Sequence, residues 1–464
     1  MSDRAIRSVA VLGGGITGLS AALAFARALP QVQVSLIRTP ADPNTLADRL
    51  PGTLPSIARF HDAIGLPEAE LLRSGAATRR LGTRFEHWSA DDARWIHVHG
   101  DYGLPAGIVP FHQLWAQARR LGQGRAYHAY SAGAVIADAG KFVLPDGDPR
   151  SPLSTFDYAL RLSREQYAAL LAALAGSAGV AMSDGTLAQA ERRADGGVAA
   201  LLLADGRRIE ADLFLDCTGT SAALLSKLAD SFEDWSGYLP CHRLLLSTGP
   251  ATRADSCDTV EALPDGWQSS TPLPDRTLQV RASDTAEGDA ITIRPGRRPN
   301  PWLHNVLAIG DAAIAIDPLV SANLHLAHSA ILRALALLPG RDCAPVELAE
   351  YNRLTALEAA RVRDFTALHY LRSGRSDGAF WQAAARLPVP DSLAHTLQQF
   401  DTRGRLPFHE EETFEKDSWL AALCGMGMLP RATDPVALAA PLEINLPTLE
   451  QFADDLAAMA ARLP

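Results

Sequence analysis

The most informative part of the sequence is residues 9–18, which read Val9-Ala10-Val11-Leu12-Gly13-Gly14-Gly15-Ile16-Thr17-Gly18. The stretch begins with a short apolar run, which is typical of a buried strand, and then changes to glycine. Over residues 16–29 the apolar residues recur at helical spacing, and residues 32–37 form a second strand-like run. A strand, a helix and a second strand in close succession predict a βαβ unit, and therefore a parallel sheet.

Three glycines join the predicted strand to the predicted helix with the spacing G-x-G-x-x-G, namely Gly13, Gly15 and Gly18. The first is expected to make a tight turn, the second to let backbone N–H groups approach a pyrophosphate, and the third to let the helix pack closely on the strand. The phosphates would lie at the amino end of the helix. The pattern predicts a dinucleotide site, and a tight turn that binds nothing is the alternative.

The position expected to bind the ribose departs from this pattern. Dinucleotide-binding folds usually carry an acid about 20 residues after the glycines, and here the second predicted strand ends in Arg38. A guanidinium cannot accept hydrogen bonds from ribose hydroxyls. It would hold a 2′-phosphate, or the ribose contact would be lost, so we predict a weak affinity for an ordinary dinucleotide such as FAD.

Two more turns follow strand-like runs later in the chain. Asp216-Cys217-Thr218-Gly219 follows residues 213–215, and Gly310-Asp311-Ala312-Ala313 follows residues 306–309. In flavoproteins, the aspartate of such a Gly-Asp turn meets the sugar-alcohol part of FAD, and the helix start after it faces the flavin. Each turn could be a plain connection, but three motifs in this order favour a flavoprotein with Asp311 and Ala312 at the cofactor.

The composition limits the class of protein. The chain has 464 residues, 47% of them hydrophobic and 21% charged, and a formal net charge of −10. These values are typical of a globular protein, and the negative charge disfavours nucleic acid as the main partner. Charged residues and glycine interrupt the apolar runs before they reach the length of a membrane span. Five scattered cysteines without a C-x-x-C pair indicate the reducing cytoplasm and neither a disulfide framework nor a zinc site.

The chain is predicted to change in character near residue 345. Residues 201–203 and 209–215 flank a turn like a hairpin, and the turn formers of residues 250–300 predict loops and short antiparallel strands. Later apolar residues follow two helical stripes, one closed near Ser373-Gly374 and one opened by Pro447. We expect these helices to pack on the sheet module. The predicted domains are an FAD-binding module with an interleaved substrate-binding sheet over residues 1–340 and a helical cap subdomain over residues 341–464.

The sequence resembles the flavin-dependent tryptophan halogenase family from its start to about residue 430. The resemblance is carried by the glycine motif and by the stretches Gly52-Thr53-Leu54-Pro55, Ala77-Thr78-Arg79-Arg80-Leu81-Gly82, Phe85-Glu86-His87-Trp88, Asp216-Cys217-Thr218-Gly219, Leu239-Pro240-Cys241, Asp317-Pro318-Leu319, His369-Tyr370, Phe380-Trp381 and Gly425-Met426-Gly427. It implies an α/β fold with a Rossmann-like FAD module of the p-hydroxybenzoate-hydroxylase type, an antiparallel substrate sheet and a helical C-terminal subdomain. It also implies that a separate flavin reductase delivers reduced FAD.

The residues that carry halogenation in that family are changed here. The family's lysine, which receives the oxidant from a tunnel beside the flavin, corresponds to Arg80, and its glutamate corresponds to Val320. The family's Ser-Thr-Gly halide loop reads Ser321-Ala322-Asn323. A guanidinium stays protonated, so it cannot form a chloramine, although it can polarise an oxidant. The resemblance assigns Arg80 and Ser321 to catalysis, and it assigns the cofactor to Pro318, Leu319, Ser321 and Asn323 together with the glycines and Asp311.

The predicted substrate-binding residues are Trp88 and Trp267, and the alternative for each is a place in the hydrophobic core. Arg80 would face the substrate, or it would pair with Glu86 or Asp317 and fill the tunnel. An enzyme is favoured: a flavin-dependent oxidoreductase that oxygenates an aromatic or indole-containing substrate rather than halogenating it. The alternative is a non-redox binding or scaffold protein on the same fold. The predicted partners are a flavin reductase and a small aromatic or peptide substrate, without nucleic acid, membrane or metal, and a homodimer is left open.

Overall fold

The structure is a computed structural model that describes residues 5–90, 94–252, 255–283, 285 and 288–463. Its α-helices are α1 Ile16–Ala28, α2 Ile57–Ile64, α3 Glu68–Arg73, α4 Phe111–Arg120, α5 Ala132–Asp138, α6 Arg164–Ser177, α7 Asn323–Ala336, α8 Pro345–Leu371, α9 Gly378–Ala384, α10 Asp391–Arg403, α11 Lys416–Gly425 and α12 Leu442–Arg462. Its strands are β1 Ser8–Leu12, β2 Gln33–Arg38, β3 Ala77–Arg80, β4 Gly82–Glu86, β5 Trp95–Gly100, β6 Phe156–Asp157, β7 Ala159–Leu162, β8 Ala181–Asp184, β9 Leu187–Arg192, β10 Val198–Leu203, β11 Arg208–Glu210, β12 Leu213–Asp216, β13 Glu233–Asp234, β14 Arg243–Pro250, β15 Cys257–Leu263, β16 Gly266–Pro272, β17 Arg276–Ser283, β18 Ile291–Thr292, β19 Gly296–Arg297, β20 Trp302–Leu303, β21 Val306–Ala308 and β22 Ile314–Ala315.

The chain forms two compact units that alternate along the sequence. The first unit comprises Met1–Thr78, Leu160–Ser236 and Ile291–Ala360, and the second comprises Arg79–Ala159, Gly237–Ala290 and Arg361–Pro464. The predicted subdomains, 1–340 and 341–464, group the chain differently. The reason is that the C-terminal helices share a unit with the antiparallel strands, since α11 packs on β5. Their apolar faces thereby find the sheet that a one-faced helix needs.

The first unit is built on a sheet with the strand order β20-β21-β12-β1-β2-β8. Strand β1 pairs in parallel with both β2 and β12, and Leu12 lies opposite Ile37 on one side and opposite Asp216 on the other. Strand β21 pairs in parallel with β12. The predicted βαβ unit is therefore confirmed. The three turn motifs all follow the carboxyl ends of neighbouring parallel strands, which is the edge where ligands of such sheets bind.

The second unit contains the strands that the sequence predicted as loops and short strands. They are longer than predicted: β14, β15, β16 and β17 have seven or eight residues each. Together with β4, β5 and β6 they follow the order β14-β17-β16-β15-β4-β5-β6, antiparallel except for the parallel pair β15–β4. Turn formers lie between the strands, as at Pro264-Asp265 between β15 and β16, and each strand mixes buried residues with half-buried or exposed ones.

The two helical stripes near the C-terminus were predicted correctly in kind, and the first begins where expected, at Pro345, but the second begins earlier than expected. Helix α12 begins at Leu442, and Pro447 lies inside it rather than at its first turn. Proline removes one backbone donor, so the helix loses one hydrogen bond there without ending. Within the described residues, no helix is both long enough and apolar enough to cross a membrane.

Candidate functional site

The glycine turn of the first unit has the geometry of a dinucleotide cradle. Gly13 has φ 128°, and a Cβ at this position would lie 2.2 Å from the carbonyl oxygen of Cys217. A Cβ at Gly18 would lie 1.9 Å from the carbonyl oxygen of Gly13. Both neighbours are backbone atoms of paired elements, so neither can give way. These two positions therefore require glycine for the close approach of the strand, the turn and helix α1.

Asp311 lies at the same edge, in the 3₁₀ turn Gly310–Ala312 that also contains Ala312. Its carboxylate accepts hydrogen bonds from the backbone N–H groups of Leu46 at 2.9 Å and Ala47 at 3.0 Å. Burial raises the pKa of this carboxyl to about 7, and the nearby acids Asp48 and Asp42 add to the rise while the two N–H bonds oppose it. The aspartate that was predicted to meet FAD thus binds the chain itself.

Asp48 occupies the amino end of helix α1. Its Oδ1 accepts hydrogen bonds from the N–H and the hydroxyl of Thr17, each at 2.8 Å. A Cβ at Gly15 would lie 1.8 Å from the Oδ2 of Asp48, so this carboxylate fills the space that the missing side chain of Gly15 leaves. Burial raises the pKa of Asp48, although the bonds from Thr17 act against it. A carboxylate stands where a phosphate is expected.

The loop before helix α7 carries the other predicted cofactor residues. Pro318 and Leu319 lie in a 3₁₀ turn capped by Asp317, whose side chain accepts the N–H of Leu319 at 2.9 Å. Ser321 follows in the left-handed conformation with φ 57°, which is unusual for a residue with a side chain. Asn323 donates its amide to the carbonyl of Ile316 at 2.9 Å. Its buried Oδ1 has no hydrogen-bond partner among the described residues.

The donor and acceptor chemistry of these residues fits a flavin dinucleotide, while the space at Gly15 is filled by Asp48 in this conformation. The glycines leave room for backbone to approach a ligand, and the buried Oδ1 of Asn323 offers an acceptor to a ligand N–H group. In this conformation, however, Asp48 already accepts hydrogen bonds from Thr17, and the Leu46 and Ala47 amides already donate to Asp311. The glycine turn and Asp311 are therefore engaged by the chain itself.

Arg38 lies beside the glycine turn, as predicted from its place at the end of β2. A Cβ at Gly14 would be 3.0 Å from the Cβ of Arg38. The guanidinium contacts Asp184 at 2.8 Å, and the two side chains are 48% and 79% exposed. An exposed pair of this kind contributes little to stability. The position that was predicted to bind the ribose therefore carries a paired cation, Arg38. The acid beside it, Asp184, comes from the neighbouring strand β8.

Arg80, at the end of β3, is the centre of a second polar cluster, which lies within the second unit. Its side chain is 3% exposed and forms an ion pair with Asp258, 7% exposed, at 2.8 Å. It also donates a hydrogen bond to the Thr83 hydroxyl at 2.9 Å. Thr83 is directly opposite Asp258 on β15. Sequence reasoning named Glu86 or Asp317 as the partner and missed Asp258, which no motif marked.

Two histidines of β5, His97 and His99, lie near this arginine, and a third, His369, lies near His97. All three were missed as site residues. His97 lies directly opposite Thr83 on β5, and the ring of His99 is 5.4 Å from the ring of His97. The pKa of His97 lies well below its usual range, mainly because the ring is buried. The nearby His99, His369 and Arg80 lower it further. Burial and Arg80 lower the pKa of His99 to about 3. The alternation of His97 and His99 along one strand was the signal in the sequence that could have found them.

His369 is the third histidine and is fully buried. Its Nδ1 lies 2.8 Å from the carbonyl oxygen of Phe365, so Nδ1 carries the proton and Nε2 is an acceptor. Neither His369 Nε2 nor His97 Nε2 has a hydrogen-bond partner among the residues that the structure describes. Burial lowers the pKa of His369 to about 4. The cluster thus combines an arginine that is paired with Asp258 and imidazoles that burial keeps neutral.

The two predicted substrate tryptophans are part of the core of the second unit. Trp88 is fully buried and donates its indole N–H to the carbonyl of His369 at 2.9 Å. Trp267 is 1% exposed and donates to the Tyr370 hydroxyl at 2.9 Å. Both side chains therefore occupy the hydrophobic core, which was the stated alternative. A direct contact with substrate stays a prediction for these two residues.

The buried histidines predict that the protein loses stability in acid. The folded-state pKa of His369, about 4, lies below the ordinary value of 6.5, so the unfolded chain takes up the proton first. The contribution of a neutral His369 to stability is fully present above the pKa of the unfolded chain. It is lost as the pH falls toward the pKa of the folded protein. Between about pH 7.5 and pH 5, His369 should lower the free energy of unfolding of the wild type by about 2 kcal/mol. We expect His369→Asn, whose amide can still donate to Phe365, to remove this part of the loss. Urea unfolding at both pH values measures this.

The control for this experiment is His395→Asn, because His395 is exposed. It should leave the pH dependence of unfolding unchanged. A wild-type protein and a His369→Asn variant with the same acid sensitivity would contradict the assignment of a neutral, buried His369.

Comparisons with known proteins agree with this architecture. Residues 8–442 match the protein family described as tryptophan halogenase. Tryptophan 6-halogenase ThaL from Streptomyces albogriseolus is 25% identical, over 95% of this chain and 93% of its own. The solved structure of BrvH, a flavin-dependent halogenase from Brevundimonas sp. BAL3, is 33% identical with a TM-score of 0.92, over 100% of this chain and 98% of that one. That of a flavin-dependent halogenase from Xanthomonas campestris is 32% identical with a TM-score of 0.91, over 99% and 97%.

Proposed function

The chain belongs to the tryptophan halogenase family, and on that premise we propose that it is a flavin-dependent oxidoreductase that transfers oxygen, rather than halogen, to an aromatic or indole-containing substrate. In this reaction a ring C–H becomes C–OH. One oxygen atom of O₂ enters the product and the other leaves as water, with two electrons from reduced FAD and two protons. A separate flavin reductase supplies the electrons, and the oxygen chemistry belongs to the cofactor.

The observation that carries this proposal is the state of Arg80. A chloramine needs an amine that can lose its proton, and a guanidinium keeps its proton. This guanidinium is moreover buried and held by Asp258 and Thr83. With Val320 and Asn323 at the glutamate and glycine positions of the family pattern, three features that support halogenation are changed together. A fixed cation with hydrogen-bond donors can still orient an oxygen-bearing oxidant or a substrate carboxylate.

The chain's own residues have separate tasks in the proposed reaction. The glycine turn, Asp311 and Asn323 would hold the cofactor, and Arg80 would orient the oxidant or a substrate carboxylate. Substitution at an aromatic carbon also needs a group that accepts the displaced ring proton. His97 suits this task, because its Nε2 is buried, neutral and without a partner among the described residues.

The test is a product analysis with halide present. Wild-type protein is incubated with a flavin reductase, NADH, FAD, O₂ and bromide, with tryptophan or indole as substrate, and the products are identified by mass spectrometry. We expect oxygenated and no brominated product. Arg80→Lys should not create halogenation, since Val320 and Asn323 remain. The matched control Arg281→Lys, at a 38% exposed ion pair in the same unit, should behave like the wild type. Brominated product above the no-enzyme level would refute the proposal.

A second candidate is a non-redox binding or scaffold protein on this fold. It is favoured by the contacts of Asp48 and of the Leu46-Ala47 backbone, which occupy the groups that FAD would use. The two candidates differ in whether the protein binds FAD, which a titration followed by the quenching of flavin fluorescence decides. We propose further that FAD affinity is weak, that the substrate is a small aromatic molecule or peptide, and that the protein acts in the cytoplasm. A homodimer remains compatible with all of these proposals.

A further inference from the structure

One short segment of the first unit, residues 42–48, engages all three cofactor motifs of the sequence. Asp48 accepts from Thr17 at the glycine turn, and the Leu46 and Ala47 amides donate to Asp311. At the third motif, the carboxylate of Asp42 accepts from the N–H of Thr220 at 2.8 Å and from its hydroxyl at 2.7 Å. The segment therefore forms hydrogen bonds at the first two motifs and to Thr220, directly after the third.

The segment also fills the space of a ligand. Thr45, Leu46 and Ala47 are 4%, 1% and 1% exposed. A Cβ at Gly219 would lie 2.1 Å from the Thr45 hydroxyl oxygen and 2.7 Å from Asp42 Oδ2, just as a Cβ at Gly15 would meet Asp48. In both turns, the room that glycine provides is taken by a side chain of this segment. The glycines of the cradle are thus in contact with the chain itself.

The charge of Asp48 makes this contact a direct competitor of a phosphate. The amino end of a helix attracts one anion, because its free N–H groups and the helix dipole point there. Asp48 binds the N–H of Thr17 in the first turn of α1, a helix of 13 residues. Arg164 holds the backbone of Asp48 from the other side by donating to its carbonyl oxygen. A pyrophosphate and a carboxylate cannot both take this position.

We propose that Asp48 is the residue that sets the affinity for FAD: it is an internal anion that the pyrophosphate must displace, and residues 42–48 leave the cradle when FAD enters. The inference rests on the proposed flavin dependence. It accounts for the proposed weak affinity by a cost of opening: the apparent dissociation constant rises by the factor by which the closed form is favoured. Asp48 is thus a determinant of affinity that acts in the apoprotein.

The test compares FAD dissociation constants of the wild type, Asp48→Ala and Asp48→Asn by fluorescence quenching at one ionic strength. We expect Asp48→Ala to bind FAD at least tenfold more tightly. Asp48→Asn should be intermediate, because its amide oxygen still accepts from Thr17 but carries no charge. Asp205→Ala, in an exposed hairpin turn, is the control and should bind like the wild type. Equal or weaker binding by Asp48→Ala would overturn the inference while leaving the proposed function intact, whereas no binding by any variant would overturn both.

Hydrogen exchange of the wild-type protein gives an independent readout that needs no variant. The amides of Leu46 and Ala47 are protected by Asp311 in the apoprotein. Adding FAD should speed their exchange at least tenfold, since Asp311 changes partner, while the amide of Thr17 stays protected by the ligand. Slower exchange throughout residues 42–48 on adding FAD would mean that the segment closes over the ligand, and it would contradict displacement.

Discussion

Replacing Asp258 by alanine is expected to lower the free energy of unfolding by about 3–5 kcal/mol, the usual cost of removing one partner from a buried ion pair. The guanidinium of Arg80 would remain at 3% exposure without the carboxylate that contacts it at 2.8 Å. The effect is large because a charge cannot be left in a low-dielectric site at small cost. Asp258→Asn, which keeps the shape and one acceptor, should lose less. Urea unfolding at neutral pH measures both variants.

A matched control exists in the same sheet. Asp265 pairs with Arg281, but their side chains are 40% and 38% exposed, so Asp265→Ala should cost no more than about 1 kcal/mol. If Asp258→Ala were as mild as Asp265→Ala, Arg80 would not depend on Asp258. The description of Arg80 as a fixed, paired cation would then be wrong.

Replacing Trp267 by alanine should cost about 3–5 kcal/mol of stability, as for other buried large-to-small changes. The indole lies on β16 between Ala262 and Ala282 of the neighbouring strands and is 1% exposed. Its removal would leave a cavity and take one donor from the Tyr370 hydroxyl. Trp267→Phe keeps most of the volume and should lose only about 1–3 kcal/mol, mainly for the missing hydrogen bond.

The control is Phe408→Ala, because Phe408 is 94% exposed. This change should alter stability by no more than about 0.5 kcal/mol. A stable Trp267→Ala variant that differs from the wild type only in KM would contradict the core position of Trp267. It would support instead the sequence-based prediction that this tryptophan contacts the substrate.

The parallel sheet and its turns could be predicted from sequence because their signals are local. An apolar run followed by Gly13, Gly15 and Gly18 has few other structural meanings, and the predicted strands and helix differ from the observed ones by only one or two residues. Residues 250–300 were harder to predict. Their Pro, Gly and Asp residues mark the turns, but long half-buried strands with polar residues on one face look similar to loops when only composition is considered.

The contacts that define the candidate site could not be predicted, because they join residues far apart in sequence. Asp258 meets Arg80 because β15 pairs with β4, which begins two residues after Arg80. That pairing depends on the strand order of the whole sheet. Asp48 lies in an irregular stretch with no motif, and its position depends on how that stretch folds back onto α1. A carboxylate there looks like any surface acid in the sequence. The resemblance to a family located Arg80, but the family pattern gave no partner for an arginine.

The choice between oxygen transfer and halogenation can be settled with one labelled reaction. Indole, a flavin reductase, NADH, FAD and bromide are incubated with the protein under ¹⁸O₂, and the product masses are compared with those of a reaction without the protein. Our account predicts an enzyme-dependent product that carries one ¹⁸O atom and no bromine. A brominated indole that depends on the protein, or the absence of any protein-dependent product together with a failure to bind FAD, would contradict it.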